Sequence, residues 1–224
     1  MKIWQALLYI SWFLSITSPV SGQTFTSTDK QVNLLELYTS EGCSSCPPAD
    51  KWFSTLKQDK RLWKALIPIA FHVDYWDYIG WEDQFAHKDY TQRQRRYAQE
   101  KQTRTIYTPG MLLNGKEWRR WSTFKPLTLD NKTSSGILSV KINENKVSAS
   151  YIPINKTDEL LVLNVAILGF NLTSKIKSGE NSGHLLTHDF VILSHQIINF
   201  ELDEHRYHLN AIKLPKVSIN SKQT

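Results

Sequence analysis

Cysteine is almost missing from these 224 residues: there are two, Cys43 and Cys46, and no others. One pair cannot make a disulfide framework, and without a second Cys-x-x-Cys no four-thiolate zinc site is possible. Glycine (9) and proline (8) are sparse, and 41% of residues are hydrophobic against 21% charged. That balance excludes collagen-like, low-complexity and globally disordered chains. No internal repeat is found, and beyond Ile16 no apolar run is long enough to span a bilayer. The length suits one large domain or two modest ones with real cores. Aromatics are plentiful, with eight Trp, nine Tyr and nine Phe, which points to well-packed surfaces or binding faces.

Met1 and Lys2 precede an apolar run, Ile3 to Ile16, about the length of a signal h-region. Val20 and Gly22 then stand at the minus-three and minus-one positions of a cleavage site, so residues 1–22 read as an export signal. The alternative, an uncleaved anchor, fits less well because the run is short and weakly flanked. No cysteine follows it, which excludes lipid attachment there. Removal of Lys2 with the signal lowers the formal net charge from +6 to +5 and leaves no expected membrane span. A basic balance first suggests nucleic acid, but export argues against that partner; a positive face toward acidic partners or envelope surfaces is the reading kept. An exported chain also keeps disulfides, so the cysteine pair sits where it can be oxidised.

Val32 to Thr39 (VNLLELYT) reads as a buried strand, and Trp52, Phe53 and Leu56 recur at helical spacing after Pro47. Ala65 to Trp76 reads as a second buried strand, and His87 to Gln102 as an exposed basic helix. Its cluster Arg93, Gln94, Arg95 and Arg96 reads as a solvated face rather than a phosphate site. Pro109 breaks the chain before a short apolar strand, and Asn114-Gly115 signals a hairpin. This order implies a mixed sheet carrying helices. From Lys125 the pattern turns to alternation, beginning with a hairpin about Asn143-Glu144-Asn145. The expected organisation is therefore 23–124 as an α/β domain and 125–224 as a β-rich, sandwich-like unit.

Three readings of Cys43-Ser44-Ser45-Cys46 compete. As a staple the pair closes a tiny loop and gains little chain entropy. As a metal site it needs two more ligands, and nothing fixes the distances of His72, Asp74 or His87. As a redox pair it has the right setting, strand, short loop and helix. There Cys43 is exposed near helix N-terminal amides that favour its thiolate, and Cys46 lies deeper, placed to resolve a mixed disulfide. Pro109, about 63 residues after Cys46, is on its own an ordinary loop proline. Proline is nevertheless the one residue for which a cis bond is cheap.

Taken together, the strand, Cys-x-x-Cys, helix, strand, helix, then Thr108-Pro109 before a hairpin, resemble the thioredoxin superfamily over roughly residues 30–122. The resemblance implies that Cys43 attacks, Cys46 resolves, and a cis Pro109 holds extended substrate backbone, with Thr108 offering the backbone groups. It also implies a buried carboxylate that assists proton transfer. Glu36 is the candidate, although it lies one residue further from the first cysteine than in thioredoxins. A narrower resemblance rests on LYTSEGCSSCPPAD, FHVDYWDYIGWED, RQRRYA, YTPGMLLNG and GENSGHLLTHD. These motifs are similar to those of an exported, mostly bacterial, thioredoxin-like family defined by a domain of unknown function.

The departures carry physical consequences. Gly42 stands where thioredoxins have an aromatic residue. Pro47 and Pro48 fit only in a first helical turn, where a missing N–H costs nothing. With Ser45 as N-cap, Cys43 falls just outside the helix and feels its dipole less, so a less acidified thiol than that of a strong periplasmic oxidant is expected.

Two other segments carry candidate residues. HVDYWDYIGWED offers Tyr75, Trp76 and Trp81 as a substrate-facing rim, with His72 or Asp74 handling protons; alternatively it is a structural loop whose Asp74 or Asp77 caps a turn. GENSGHLLTHD, holding His184 and His188, reads as a turn and a strand. Asn131, Asn155 and Asn171 begin Asn-x-Thr triplets that matter only in a eukaryotic secretory pathway.

The sequence therefore leads to an exported thiol-disulfide oxidoreductase that exchanges disulfides with envelope proteins. It needs no organic cofactor, and no metal ligands are assigned. A periplasmic copper carrier using Cys43, Cys46 and a histidine, or a catalytically silent thioredoxin-like adaptor, are the alternatives.

Overall fold

The computed structural model describes residues 22–123, 126–130, 132–157 and 159–217. The expected export signal, apart from Gly22, and the Asn131 triplet's first residue lie outside the described residues. In chain order the elements are β1 (Gln23–Thr26), β2 (Asn33–Thr39), α1 (Pro47–Ser54), β3 (Leu66–His72), α2 (Lys88–Gln99), β4 (Gly110–Leu113) and β5 (Lys116–Glu117). There follow β6 (Gly136–Asn143), β7 (Lys146–Pro153), β8 (Val162–Gly169), β9 (Leu172–Lys175), β10 (Leu185–His188), β11 (Val191–Asn199), β12 (Glu201–Asp203) and β13 (Arg206–Lys213). Among the described residues no helix is long and apolar enough to cross a membrane.

The central sheet runs β5-β4-β2-β3-β11-β8. β2 and β3 are parallel, from Asn33 opposite Leu66 to Thr39 opposite His72, as a helical crossover requires. β4 returns antiparallel with Gly110 opposite Tyr38, and the β4–β5 hairpin turns on Asn114 and Gly115 at φ +50° and +77°. That is the hairpin expected from the Asn-Gly pair, whose two positions tolerate positive φ. Because β2 alternates, Leu35 and Leu37 pack with Ala49 and Phe53 of α1, while Tyr38 packs with Phe71 of β3 and Tyr90 of α2. The result is the thioredoxin-like arrangement, a mixed sheet with one helix on each face.

α2 is not the solvated helix expected. Tyr90, Thr91 and Gln94 are buried, and Arg93 lies across the Phe71 ring with its guanidinium carbon 5.2 Å from the centroid. The arginine stem covers apolar surface while its head finds a buried acid, Glu36. Arg95 and Arg96 do face solvent.

A second, five-stranded sheet, β1-β6-β7-β13-β12, forms the β-rich unit, and β9 pairs with β10 as a two-stranded ribbon. The β6–β7 hairpin turns at Glu144 (φ +52°), where the sequence placed it. Sheet membership does not follow the 124/125 boundary. β1 joins the C-terminal sheet by pairing with β6, whereas β8 and β11 extend the central one, Val191 lying parallel to Ala70.

Candidate active site

β2 ends at Thr39 and α1 starts at Pro47, so residues 40–46 form the corner. Ser45, the expected cap, does not cap the helix; Cys46 does, with Pro47 and Pro48 in the first two helical positions. Prolines fill those positions without loss because their missing N–H groups would lack partners there anyway. The amides of Ala49 and Asp50 both donate to the Cys46 carbonyl (2.9 and 3.1 Å), and the Cys46 amide donates to the Cys43 carbonyl at 3.1 Å. Free helix amides facing Cys43 are therefore not what this corner provides, and Cys43 stands three residues outside the helix.

Cys43 and Cys46 are disulfide-bonded, their Cα atoms 5.4 Å apart. Cys43, expected to be exposed, is 1% exposed, and Cys46 is fully buried. Within residues 40–46 only Ser44 and Ser45 reach solvent.

The Thr108-Pro109 bond is cis. With Gly110 opposite Tyr38 and β4 antiparallel to β2, Pro109 stands level with Thr39, at the cysteine end of the sheet. Trp76 joins the two loops: its Nε1 donates to the Thr108 hydroxyl at 2.7 Å, and its Cβ lies 3.0 Å from where a Cβ on Gly42 would be. A Cβ at position 42 would crowd that tryptophan by a few tenths of an ångström, which favours glycine where thioredoxins carry an aromatic residue. Gln94 steadies the same edge, accepting from the Tyr75 hydroxyl (3.2 Å) and donating to the Tyr107 carbonyl (2.6 Å).

What covers Cys43 comes from far along the chain. The buried Asn181 amide donates to the Glu41 carbonyl at 2.8 Å and to the Cys43 carbonyl at 3.0 Å. Glu180 accepts from the Ser44 amide at 3.1 Å, and the Ser178 hydroxyl donates to the Gly80 carbonyl. Gly179, at φ +76°, lets the chain turn closely over Ile79 and Trp81. Residues 177–183 thus form a strap tied to the backbone of the Cys43 loop. Asn181→Ala takes the side-chain donor from the buried Glu41 carbonyl and leaves the Cys43 carbonyl with the Cys46 amide alone, and should weaken the strap by about 1–3 kcal/mol. Alkylation of Cys43 in the reduced protein is then expected to accelerate about 5- to 150-fold. Unchanged alkylation kinetics would show that the strap does not limit access.

Behind the disulfide, Glu41, Asp50, His72, Asp83 and His188 share one buried space. His72 Nδ1 meets Asp83 Oδ2 at 2.7 Å, with both side chains fully buried. Asp83 also accepts from the amides of Glu41 (2.8 Å) and Phe85 (2.9 Å). Burial disfavours both charges, yet the pairing outweighs it. His72 is pushed up to about 9, chiefly by Asp83, and Asp83 is held below the usual carboxylate range by His72 and the two amides. Glu41 Oε2 accepts from Trp81 Nε1 at 2.8 Å. Asp50 accepts from the Thr39 hydroxyl at 3.1 Å; burial pushes its pKa up against the pull of His188, His72 and Thr39. His188 stands edge-on to His72, ring centres 4.8 Å apart.

The expected site residues divide. Cys43, Cys46, Thr108, Pro109 and Trp76 gather at the corner. Tyr75 is half-buried beside them, and burial pushes its hydroxyl up to about 12. Trp81 is not on a rim: it is 5% exposed and packs against Ile176 and Leu186. The exposed aromatic of its segment is Tyr78, at 81%. Asp74 ties its loop to α2 by accepting from the Thr91 hydroxyl, and Asp77 accepts from the Asp83 amide six residues on. Glu36 is buried, but it points to the opposite face of the sheet from α1 and pairs with Arg93 at 2.6 Å. Asp50, one helical turn beyond Cys46, is the carboxylate on the cysteine side, and CPPAD held that spacing. Asn181 and His188 lay in GENSGHLLTHD, where length and specificity were the only signal. Among the described residues, no group of three or more His, Cys, Asp or Glu has the spacing to hold a metal ion.

A Cys-x-x-Cys disulfide at a strand-to-helix corner, level with a cis-proline just before the neighbouring strand, defines a thioredoxin-like protein whose cysteine pair is consistent with thiol-disulfide chemistry. The chain belongs to a family described as a protein of unknown function (DUF1223), whose model matches residues 34–220. Among solved structures it is similar to protein AGR_C_4864 from Agrobacterium tumefaciens, at 25% identity and a TM-score of 0.56, over 82% of this chain and 78% of that one. It also aligns with HBP35 of Porphyromonas gingivalis at 14% identity and a TM-score of 0.47, over 84% of this chain and 66% of that one. No curated protein matches it.

Proposed function

We propose that the chain is an exported thiol-disulfide oxidoreductase that exchanges disulfides with proteins of the bacterial envelope. The observation that carries this reading is the Cys43–Cys46 disulfide at the same end of the sheet as a cis Thr108-Pro109 bond, with Trp76 touching both loops. Cys43, whose Sγ lies 3.4 Å from the hydroxyl of the exposed Ser45, is the sulfur a partner attacks; Cys46, fully buried, leaves and later resolves the mixed disulfide. Thr108 and Pro109 hold the partner's extended backbone, Trp76 and Tyr75 flank it, and the strap yields to admit it. The signal-like N-terminal run and the kinship with bacterial proteins support export to an envelope.

The test is transfer of the disulfide from the oxidised protein to a reduced two-cysteine peptide, followed by mass. Wild type is expected to transfer one disulfide per chain, and Cys43→Ser to fall to the uncatalysed background. Equal rates in the two would overturn the reading.

A further inference from the structure

The net charge of the chain is not spread over it. Residues 88–120, from α2 through the cis-proline loop and the β4–β5 hairpin, hold nine Lys or Arg against three Asp or Glu, a net +6. The formal charge of the whole chain is also +6, so everything outside this segment sums to zero. Within it Arg93 turns inward onto Glu36, and Arg119 pairs with Glu117 at 2.9 Å. Arg95, Arg96, Arg104 and Arg120 are exposed and form no ion pair among the described residues.

Two of these cations stand beside the exchange face, where Cys43, Trp76, Thr108 and Pro109 gather. Gln94 links the Tyr75 hydroxyl to the Tyr107 carbonyl. Arg95, next to it on α2, is near enough to Tyr75 to oppose the rise that burial causes in that hydroxyl. Tyr107 directly precedes Thr108; the Arg119 guanidinium carbon lies 5.0 Å from its ring centre, and its hydroxyl donates to Glu117 at 2.9 Å. Against the cost of burial, Arg119, Tyr107 and Arg104 hold Glu117 below the usual carboxylate range, which places Arg104 at the same edge. Glu117 answers Arg119; Arg95 and Arg104 have no such acid. Over Ser44 the sign reverses, because the exposed Glu180 of the strap holds the Ser44 amide at 3.1 Å.

We propose that the exchange face selects partner polypeptides with acidic residues, Arg95 and Arg104 receiving the carboxylates beside Thr108-Pro109. The inference rests on the redox reading and names the substrate class of the same site. Exposed charges at the rim of an interface act mainly on encounter, drawing partners of opposite sign and turning away those of like sign. Arginine suits the task, since its planar fork meets a carboxylate through two parallel hydrogen bonds. Acids on the part of the partner that passes Pro109 gain from this arrangement, whereas acids that meet Ser44 are repelled by Glu180. Acidic lipid would attract the same cations, but their position beside the cis bond favours a chain that enters the site.

The test is disulfide transfer from the oxidised protein to reduced two-cysteine peptides that differ only in flanks of Asp, Ser or Lys. Each transfer oxidises the two peptide thiols to a disulfide and reduces Cys43–Cys46 to two thiols. Rates are divided by the peptide thiolate concentration. At low salt the Asp peptide is expected to react about 10- to 100-fold faster than the Lys peptide. At about 1 M salt, where charges are screened beyond about 3 Å, the ratio should fall toward one. Arg95→Gln combined with Arg104→Gln should lower the low-salt ratio several-fold. Equal rates for all three peptides overturn the proposal and leave the redox reading standing, as does a ratio unchanged in the double variant. Binding to acidic phospholipid vesicles that the double variant abolishes, without any peptide preference, overturns it in favour of a membrane. Transfer to none of the peptides removes the redox reading and this inference with it.

Discussion

Cys46→Ser is expected to stop turnover and leave Cys43 joined to its partner, one partner per chain. The geometry sets the size of the effect. Cys46 is fully buried against Asp50 and the helix start, so it reaches a mixed disulfide on Cys43 from within the protein. Well-oriented intramolecular groups act at effective molarities of about 10⁵–10⁸ M, far above any external thiol. Loss of the resolving sulfur should therefore lengthen the life of the mixed disulfide by at least about 10³-fold. Non-reducing gels of envelope extracts, with mass spectrometry of the cross-linked bands, measure it. If Cys43 of the variant is alkylated readily yet carries no partner, the attacking role assigned to Cys43 is wrong.

Arg93→Met is expected to destabilise the fold by about 3–5 kcal/mol, because it strands a charge in the sheet. The Glu36 side chain is fully buried, and Arg93 reaches it twice, with Nε at 2.8 Å and a terminal nitrogen at 2.6 Å from Oε1. The same guanidinium donates to the Tyr97 hydroxyl at 3.0 Å and covers the Phe71 ring. Methionine keeps the stem and loses the head, so the deficit reports on the unpaired carboxylate. Adding Glu36→Gln should recover most of it, since the neutral amide leaves no buried charge. Urea denaturation of the wild type, Arg93→Met and the double variant measures the loss and its recovery. A loss below about 1 kcal/mol would place the pair with surface ion pairs in energetic weight.

These two experiments address different ends of one strand. β2 carries Glu36 toward α2 and Thr39 toward α1, so a single alternating segment serves stability on one face and the cysteine corner on the other. The sulfur chemistry belongs to the α1 face. That is why Glu36, though buried as the resemblance required, is placed to hold α2, and why Asp50 stands on the cysteine side instead.

The sequence by itself determined the features that short-range physics writes. Alternating apolar residues made β2 and β3, paired prolines fixed the first turn of α1, Asn114-Gly115 closed its hairpin, and the Cys-x-x-Cys spacing set a pair able to bond. Tertiary structure alone decided what surrounds that pair. Asn181 lies 138 residues from the Cys43 carbonyl it holds. Arg93 looks like a solvated charge until a facing acid is supplied, and His188 gains meaning only when β10 lies against α1. The reason is physical. Backbone periodicity tells which side chains turn inward, but the energy of a buried charge depends on what it meets there, and the folded chain alone supplies that partner.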